Sequence, residues 1–474
     1  MSTGAASRFH LFRRDGRNLV FDCYAQTVLL VDELAFEALR LYEQTQGDHR
    51  AIYQYLHEQH ADQAVREVLQ EIEALRASGH LANADVMSIQ PDVVNAHWMM
   101  SSVTLMVAQT CNLRCAYCYG NVGTYKAYPD LTTPETARRA VDLLVRNSGE
   151  ADACNIVFFG GEPLLNLALV REVVVYCESL RRERGVNFVF GITTNGTLLS
   201  DEVLGFLRAH GFKIILSLDG PRDVHDAYRC FPDGKGSFSR VMEAARKIKR
   251  IGQPLWVRTT ITHQSPPLDD LLAFFEREVG ADSVQIGPMM DVGDKSPMSL
   301  TESDLGRLLV EKEKVAACVV ANLGEDRPVI YNPLLQLMER LHHRRGAMSA
   351  CDAGRGSFAI ATNGDIYPCH RFVGLEAFVL GNVWDGLSSE KQIAFHRGFS
   401  AASEKCRSCW AYYQCAGDCA RRRALSDGTF RPPDEPTCEY LCGSLELAID
   451  TYAYLRKNRP DLVKQMTTTV PRSC

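Results

Sequence analysis

Little in this chain would place it in a membrane or on a nucleic acid. No window approaches the ~18–20 consecutive apolar residues of a membrane span. The opening run Met1-Ser2-Thr3-Gly4-Ala5-Ala6-Ser7-Arg8 lacks the apolar core of a signal peptide. Basic residues are not in excess: 52 Lys and Arg against 58 Asp and Glu give a formal net charge of −6, which leaves no electrostatic footprint for nucleic acid. The 13 His show no ligand spacing, and there is no internal repeat or low-complexity tract. These absences point to a cytoplasmic globular protein, whose 474 residues allow two or three domains with ample core.

Cysteine, by contrast, is abundant. Without export, 17 cysteines read as metal ligands rather than disulfides. Cys111, Cys115 and Cys118 stand at C-x3-C-x2-C in Gln109-Thr110-Cys111-Asn112-Leu113-Arg114-Cys115-Ala116-Tyr117-Cys118-Tyr119-Gly120. Three thiolates on one short loop can hold three irons of a [4Fe–4S] cube and leave the fourth open to a ligand. A structural zinc site would need four closed ligands, and no His or fourth Cys stands nearby. Cys23, Cys154, Cys177, Cys230 and Cys318 read as core or incidental thiols, and the terminal Cys474 as incidental.

Patterning divides the chain. Residues 1–95 carry strand-like runs at Phe9–Phe12, Leu19–Cys23 and Val28–Val31, with Asp15-Gly16 as a hairpin turn, then helical patterns at about Glu33–Glu43, Arg50–Gln59 and Ala61–Ala77. This suggests a compact winged-helix-like domain, the alternative being a decoration that binds nothing. Residues 100–300 alternate strand with helix. Val103–Val107, Asn155–Phe159, Asn187–Gly191, Ile214–Leu218, Leu255–Thr262 and Ser283–Ile286 read as buried strands, and repeated βα units predict an α/β fold, a partial (β/α)6 barrel with its site at the strand C-termini. A helical bridge (301–348) leads to a Gly-, Pro- and Cys-rich region (349–443) that needs metal staples, and then to a helical tail (444–474).

Polar motifs sit at those strand ends. Gly160-Gly161-Glu162-Pro163 lets backbone approach a ligand closely, and Glu162 or adjacent carbonyls could accept from an ammonium group, although such a run is often only a turn. Thr194-Asn195 follows the third strand. Ser217-Leu218-Asp219-Gly220-Pro221 follows the fourth, with Arg229 beyond it as a carboxylate fork or a surface charge. Farther on, Cys351-x12-Gly364-x4-Cys369 precedes Cys406-x2-Cys409-x5-Cys415-x3-Cys419 and then Cys438, spacings that suit further Fe–S cubes or zinc.

Taken together, Cys111–Cys118 with Tyr117, Gly160–Pro163, Thr194-Asn195 and Ser217–Gly220 resemble the radical S-adenosylmethionine superfamily. That resemblance implies S-adenosylmethionine on the open iron, cleaved by one electron to methionine and a 5′-deoxyadenosyl radical that abstracts a substrate hydrogen. It would place Gly160, Gly161, Glu162 and Pro163 at the methionine amine, Asn195 and Ser217 at the ribose and neighbouring atoms, Arg229 at the carboxylate and Tyr117 near the adenine, with Thr194 also in the cofactor site. The later cysteines resemble the SPASM extension of peptide-modifying radical enzymes, which carries two auxiliary [4Fe–4S] clusters and brings the total to three. It implies an outer cluster on Cys406, Cys409, Cys415 and Cys438 and an inner one on Cys351, Cys369 and Cys419.

Sulfatase-maturing relatives have a further cysteine shortly after the position of Cys351 and an acidic base directly after that of Cys369. Here Asp352-Ala353-Gly354-Arg355-Gly356-Ser357 supplies no thiol, and His370 takes the base position as a catalytic candidate. An inner cluster short of one ligand could accept a substrate thiolate; Cys442 is a distant alternative ligand or a spare. With Phe9-His10-Leu11-Phe12 and Leu29-Leu30-Val31-Asp32-Glu33, the chain resembles enzymes that install thioether bridges, as in maturation of the γ-subunit of quinohemoprotein amine dehydrogenase, where Cys sulfur is linked to side-chain carbons of Asp or Glu. The implied partners are a small cysteine-containing polypeptide, paired as an added strand on Leu19–Val31, and an electron donor such as flavodoxin or ferredoxin. The alternatives are formylglycine formation, carbon–carbon bridging, and a non-catalytic metal-stapled scaffold that presents a peptide.

Overall fold

A computed structural model describes residues 8–82, 99–120, 131–149, 151–289, 298–322, 331–346 and 351–463. The expected end of the first domain at residue 95, the boundary at 348–349, the opening run up to Ser7 and Cys474 lie outside the described residues.

The first unit is an antiparallel meander of β1 (Phe9–Arg14), β2 (Arg17–Asp22) and β3 (Thr27–Val31), followed by helices Glu33–Gln44, His49–Leu56 and Asp62–Ala77. Asp15 and Gly16 both have positive φ, 47° and 70°, which matches a two-residue hairpin to strand twist. The strand alternation of β2 buries both of its faces. Val20 packs with Leu39, Ile52 and Val65 of the helices, while Leu19 and Phe21 join the main core of the molecule. The expected peptide-pairing edge over Leu19–Val31 needs correction here: Leu19–Asp22 belongs to the central strand, already paired on both sides, and within that segment the edge strand is β3.

The second unit is a run of six parallel strands in sequential order: β4 (Ser102–Ala108), β5 (Cys154–Gly160), β6 (Phe188–Thr194), β7 (Lys213–Ser217), β8 (Trp256–Ile261) and β9 (Ser283–Pro288). Helices between them pack outside. They begin where the sequence supplies caps: Thr133 accepts from the Thr136 amide ahead of Pro134, and Ser200 accepts from Val203. The six strands do not close. β10 (Ser357–Ile360) pairs parallel to β4, and β11 (Asp365–Tyr367), β12 (Gly381–Asn382) and β13 (Gly386–Leu387) extend the sheet antiparallel to ten strands. The cysteine-rich region thereby covers the edge that β4 would expose.

Helices Glu302–Asn322 and Asn332–His342 form the bridge, and both pack on the long helix Glu435–Asn458. That last helix starts well before the expected Ser444, because Asp434 caps it through the Thr437 amide with Pro436 in the first turn. It also anchors the first unit: Arg17 pairs with Asp450 at 2.7 Å, and His10 bonds Glu446 at 2.7 Å while stacking on Trp410 with ring centroids 3.6 Å apart. No described helix is long and apolar enough to cross a membrane.

Candidate functional site

The loop after β4 delivers Cys111, Cys115 and Cys118 to a cavity of about 190 Å³ at the C-terminal ends of the strands. The loop is held from below. Gly160 (φ 144°) and Gly161 bring the end of β5 so close that a Cβ would lie 2.0 Å from the Ala108 carbonyl oxygen and 2.2 Å from that of Thr110. These glycines are required by the backbone itself, whatever they do for a ligand. Glu162 is fully buried and accepts from the amides of Leu164 (3.1 Å) and Asn195 (2.8 Å) and from the Thr194 hydroxyl (2.8 Å). Burial pushes its carboxyl up to about 7. Glu162 and Pro163 therefore brace two strand ends behind the cavity wall rather than facing into it, which departs from the expected contact with an amine.

The remaining expected residues do line the cavity: Tyr117, Gly160, Gly161, Thr194, Asn195, Ser217 and Arg229, joined from the cysteine-rich side by His370. Asn195 bridges to the Asn112 side chain at 2.9 Å and lies 3.8 Å from Cys111 Sγ, while the Leu113 amide donates to the same sulfur at 3.4 Å. Arg229 reaches Cys115 Sγ at 3.9 Å. Donors aimed at sulfur suit thiolates that carry metal. Without metal, burial pushes the Cys111 and Cys115 thiols up to about 12 and about 11, so cluster assembly must release protons.

Arg229 is also not the free fork that its sequence position suggests. Its Nε donates to Asp219 at 2.7 Å, and that buried carboxylate further accepts from the Tyr117 hydroxyl and from the Thr260 amide at 3.0 Å. Behind the pair, buried His225 accepts the Asp219 amide on Nδ1 (3.3 Å), so its Nε2–H donates to Ser237 Oγ (2.9 Å), which donates to the Arg229 carbonyl (2.7 Å). Sequence reasoning assigns no role to Asp219 or His225, because their partners come from other elements. Arg258, from the middle of β8, also lines the cavity. Its one sequence signal is a charge in the buried strand Trp-Val-Arg-Thr-Thr-Ile.

The other thiols fall into two groups. Cys351, Cys369 and Cys419 face one another, and burial pushes Cys351 up to about 11 and Cys369 up to about 12. His370, Arg371 and Arg421 carry this group to the cavity wall. The second group is Cys406, Cys409, Cys415 and Cys438, joined by Cys442. Cys438 and Cys442 lie one turn apart on the last helix. A hydrogen bond between Cys442 and Cys409 pushes the Cys409 thiol down to about 6 and holds Cys442 neutral. Cys442 thus belongs with the outer thiols and is not the distant ligand of the inner group. Ala416, Gly417 and Asp418 all have positive φ, and the amides of Gly417 and Asp418 turn onto the Cys415 sulfur, an arrangement of successive N–H groups that favours an anion. Among the described residues, no three His, Cys, Asp or Glu side chains converge on a single metal ion.

Two family models match this chain: the radical SAM superfamily over residues 105–273, and an iron–sulfur cluster-binding domain, SPASM, over residues 351–410. The chain carries a radical SAM domain followed by a SPASM domain. The first match contains the three-cysteine loop; the second contains Cys351, Cys369, Cys406 and Cys409, with the remaining thiols past its end. Together the domains imply S-adenosylmethionine and [4Fe–4S] clusters, and the thiol groups with their N–H···S donors fit both. A cysteine-type anaerobic sulfatase-maturating enzyme of Clostridium novyi is 24% identical over 76% of this chain and 98% of its own length. A serine-type enzyme of Bacteroides thetaiotaomicron is 27% identical over 71% of this chain and 85% of its own length. Among solved structures, anSMEcpe with bound AdoMet aligns with a TM-score of 0.63 at 20% identity, covering 75% of this chain and 99% of that one. Streptococcus suis SuiB bound to precursor peptide SuiA aligns with a TM-score of 0.53 at 16% identity, covering 91% and 99%. The latter likeness extends the shared fold beyond the two matched domains.

Proposed function

We propose that this protein is a cytoplasmic radical SAM maturase that forms thioether bonds within a small protein, joining Cys sulfur to side-chain methylene carbons of Asp or Glu. The maturase part rests on relatives whose names are those of sulfatase-maturating enzymes. The thioether part rests on one observation: Cys351, Cys369 and Cys419 form a three-thiol group beside the cavity, and Cys442 sits elsewhere. Three thiols leave one place on a four-iron cluster, and a substrate thiolate has the softness to take it.

Bound S-adenosylmethionine with a reduced cluster supplies a hydrogen-abstracting carbon radical. Each bridge costs the substrate two hydrogens, one as an atom from C–H and one as a proton from S–H, and leaves one electron, which a cluster held by Cys351, Cys369 and Cys419 would take up. Arg229, fixed by Asp219, and the strand-end residues Thr194, Asn195 and Ser217 orient the cofactor. His370 packs its ring on Phe159, which gives it a positioning role, and burial, Arg258 and Arg371 lower its basicity. The partner is a small cysteine-containing polypeptide, with the amine dehydrogenase γ-subunit the candidate; it would add a strand at β3 (Thr27–Val31), and a flavodoxin or ferredoxin would supply electrons.

Formylglycine formation is the second reading, favoured by the names of the two relatives above. Cys351→Ser separates the function from simple cofactor cleavage. That variant keeps methionine and deoxyadenosine formation and loses linked γ-subunit. Linked product at wild-type yield would remove the inner thiols from the reaction.

A further inference from the structure

Four guanidinium groups enter the cavity wall: Arg229 after β7, Arg258 on β8, Arg371 after Cys369, and Arg421, whose Nε donates to the Arg371 carbonyl at 2.9 Å. They are not equivalent. Arg229 is matched by Asp219 at 2.7 Å. Arg258 and Arg371 have no carboxylate partner among the described residues. Arg258 is pushed down to about 10, by burial first, then by the charge of Arg371 and also by that of Arg229. Arg371 faces the inner thiols Cys419, Cys369 and Cys351, so metal–thiolate charge there would engage part of it. Arg258 has no such neighbour.

Arg258, with no carboxylate partner among the described residues and Arg371 as a like-charged neighbour on the same cavity wall, leaves an electrostatic deficit that an anionic ligand would fill. The cofactor brings one carboxylate, and Arg229 reaches the three-cysteine loop, at 3.9 Å from Cys115. Arg258 and Arg371 instead flank the face on which His370 packs against Phe159, the side that borders the inner thiols. A planar guanidinium pairs bidentately with a carboxylate, and a pair of them excludes a neutral amide of the same shape.

We propose that Arg258 and Arg371 form a carboxylate-holding subsite for the acidic side chain, Asp or Glu, of the peptide being modified. The inference rests on the reading of this cavity as the place where a peptide side chain reacts; it assigns residues that choose an acidic acceptor. Holding the carboxylate at this spot would present the neighbouring methylene to the cofactor side and keep the substrate sulfur on the inner-thiol side.

The test uses the reconstituted protein under anaerobic conditions, with S-adenosylmethionine present so that the cofactor's own carboxylate is already in place. Phenylglyoxal modifies arginines, and tryptic mass spectrometry reads the rate at Arg258 and at Arg371 separately. The probes are N-acetyl-aspartate methylamide, N-acetyl-glutamate methylamide and, as the isosteric control, N-acetyl-asparagine methylamide. The acidic probes should slow modification of both arginines by about fivefold or more, and the amide should not. Equal protection by the amide, or none by the acids, overturns the proposal. So does full protection by S-adenosylmethionine alone, which would hand the pair to the cofactor. The thioether reading fails separately: carboxylate protection with an aldehyde-bearing or carbon–carbon product would sink that reading and leave the subsite standing.

Discussion

His370 of the SPASM domain packs its imidazole against Phe159 at the end of β5, with ring centroids 4.6 Å apart. This contact ties the auxiliary domain to the wall of the radical SAM cavity, and it lies on the residue next to Cys369, one of the three inner thiols. If the imidazole positions rather than transfers protons, shape should matter more than basicity. His370→Phe should keep bridge formation within about threefold of wild type, whereas His370→Ala loses the packing, worth about 0.5–1.5 kcal/mol. A base role would give a different pattern, with both variants down by about 10²–10⁴ in rate. Product yield per deoxyadenosine separates the two.

Backbone demands at Gly160 are severe. Gly160→Ala would drive a Cβ to 2.0 Å from the Ala108 oxygen at φ 144°. The cost should exceed about 3 kcal/mol, read as a fall in the urea midpoint of the metal-free protein. Gly205, inside the helix Asp201–Ala209 with nothing within 4 Å of an added Cβ, is the contrast. Gly205→Ala should stabilise by about 0.5–1 kcal/mol.

The brace behind Arg229 should be acid-sensitive. Burial pushes His225 down to about 4, against an ordinary value of 6.5. The unfolded chain takes up that proton first, so stability from this group is fully present above about pH 6.5 and is lost as the pH falls toward 4. The loss should reach about 3 kcal/mol. His225→Gln should remove that part of the acid slope in denaturant titrations. An unchanged slope would mean that the imidazole is not held neutral.

Five thiols gather where four ligands suffice. Cys442→Ser should retain the full complement of about 12 irons, and the double variant Cys438→Ser/Cys442→Ser should lose about four. Iron and acid-labile sulfide analysis decides; a Cys442→Ser loss equal to that of Cys406→Ser would make Cys442 an obligatory ligand.

Much of this architecture is legible in the sequence. Short-range signals carry best: the βα alternation locates all six barrel strands within a few residues, and the cysteine spacings set the three-cysteine loop apart from the later cysteine-rich run, whose division into an inner and an outer set only the family resemblance implies. What the sequence hides depends on tertiary contacts. Leu19–Asp22 reads as an edge because alternation does not reveal that both faces and both sides of a strand are taken. Arg229 reads as free because Asp219, ten residues earlier, becomes its partner only after the chain turns through the helix Arg222–Tyr228. Glu162 reads as a ligand because a buried carboxylate and an exposed one look alike in sequence. The start of the last helix is different, a local cue that patterning alone passes over. Asp434 and Pro436 form a cap there, and it puts Cys438 and Cys442 on one face.

The most direct test is the accurate mass of the γ-subunit of quinohemoprotein amine dehydrogenase after anaerobic reaction with reconstituted enzyme, S-adenosylmethionine and reductant. The expected result is a loss of two hydrogens per bridge, cysteines that no longer alkylate, and fragments that place carbon–sulfur links at Asp or Glu. A single cysteine converted to an aldehyde, with every other thiol still free to alkylate, would contradict it.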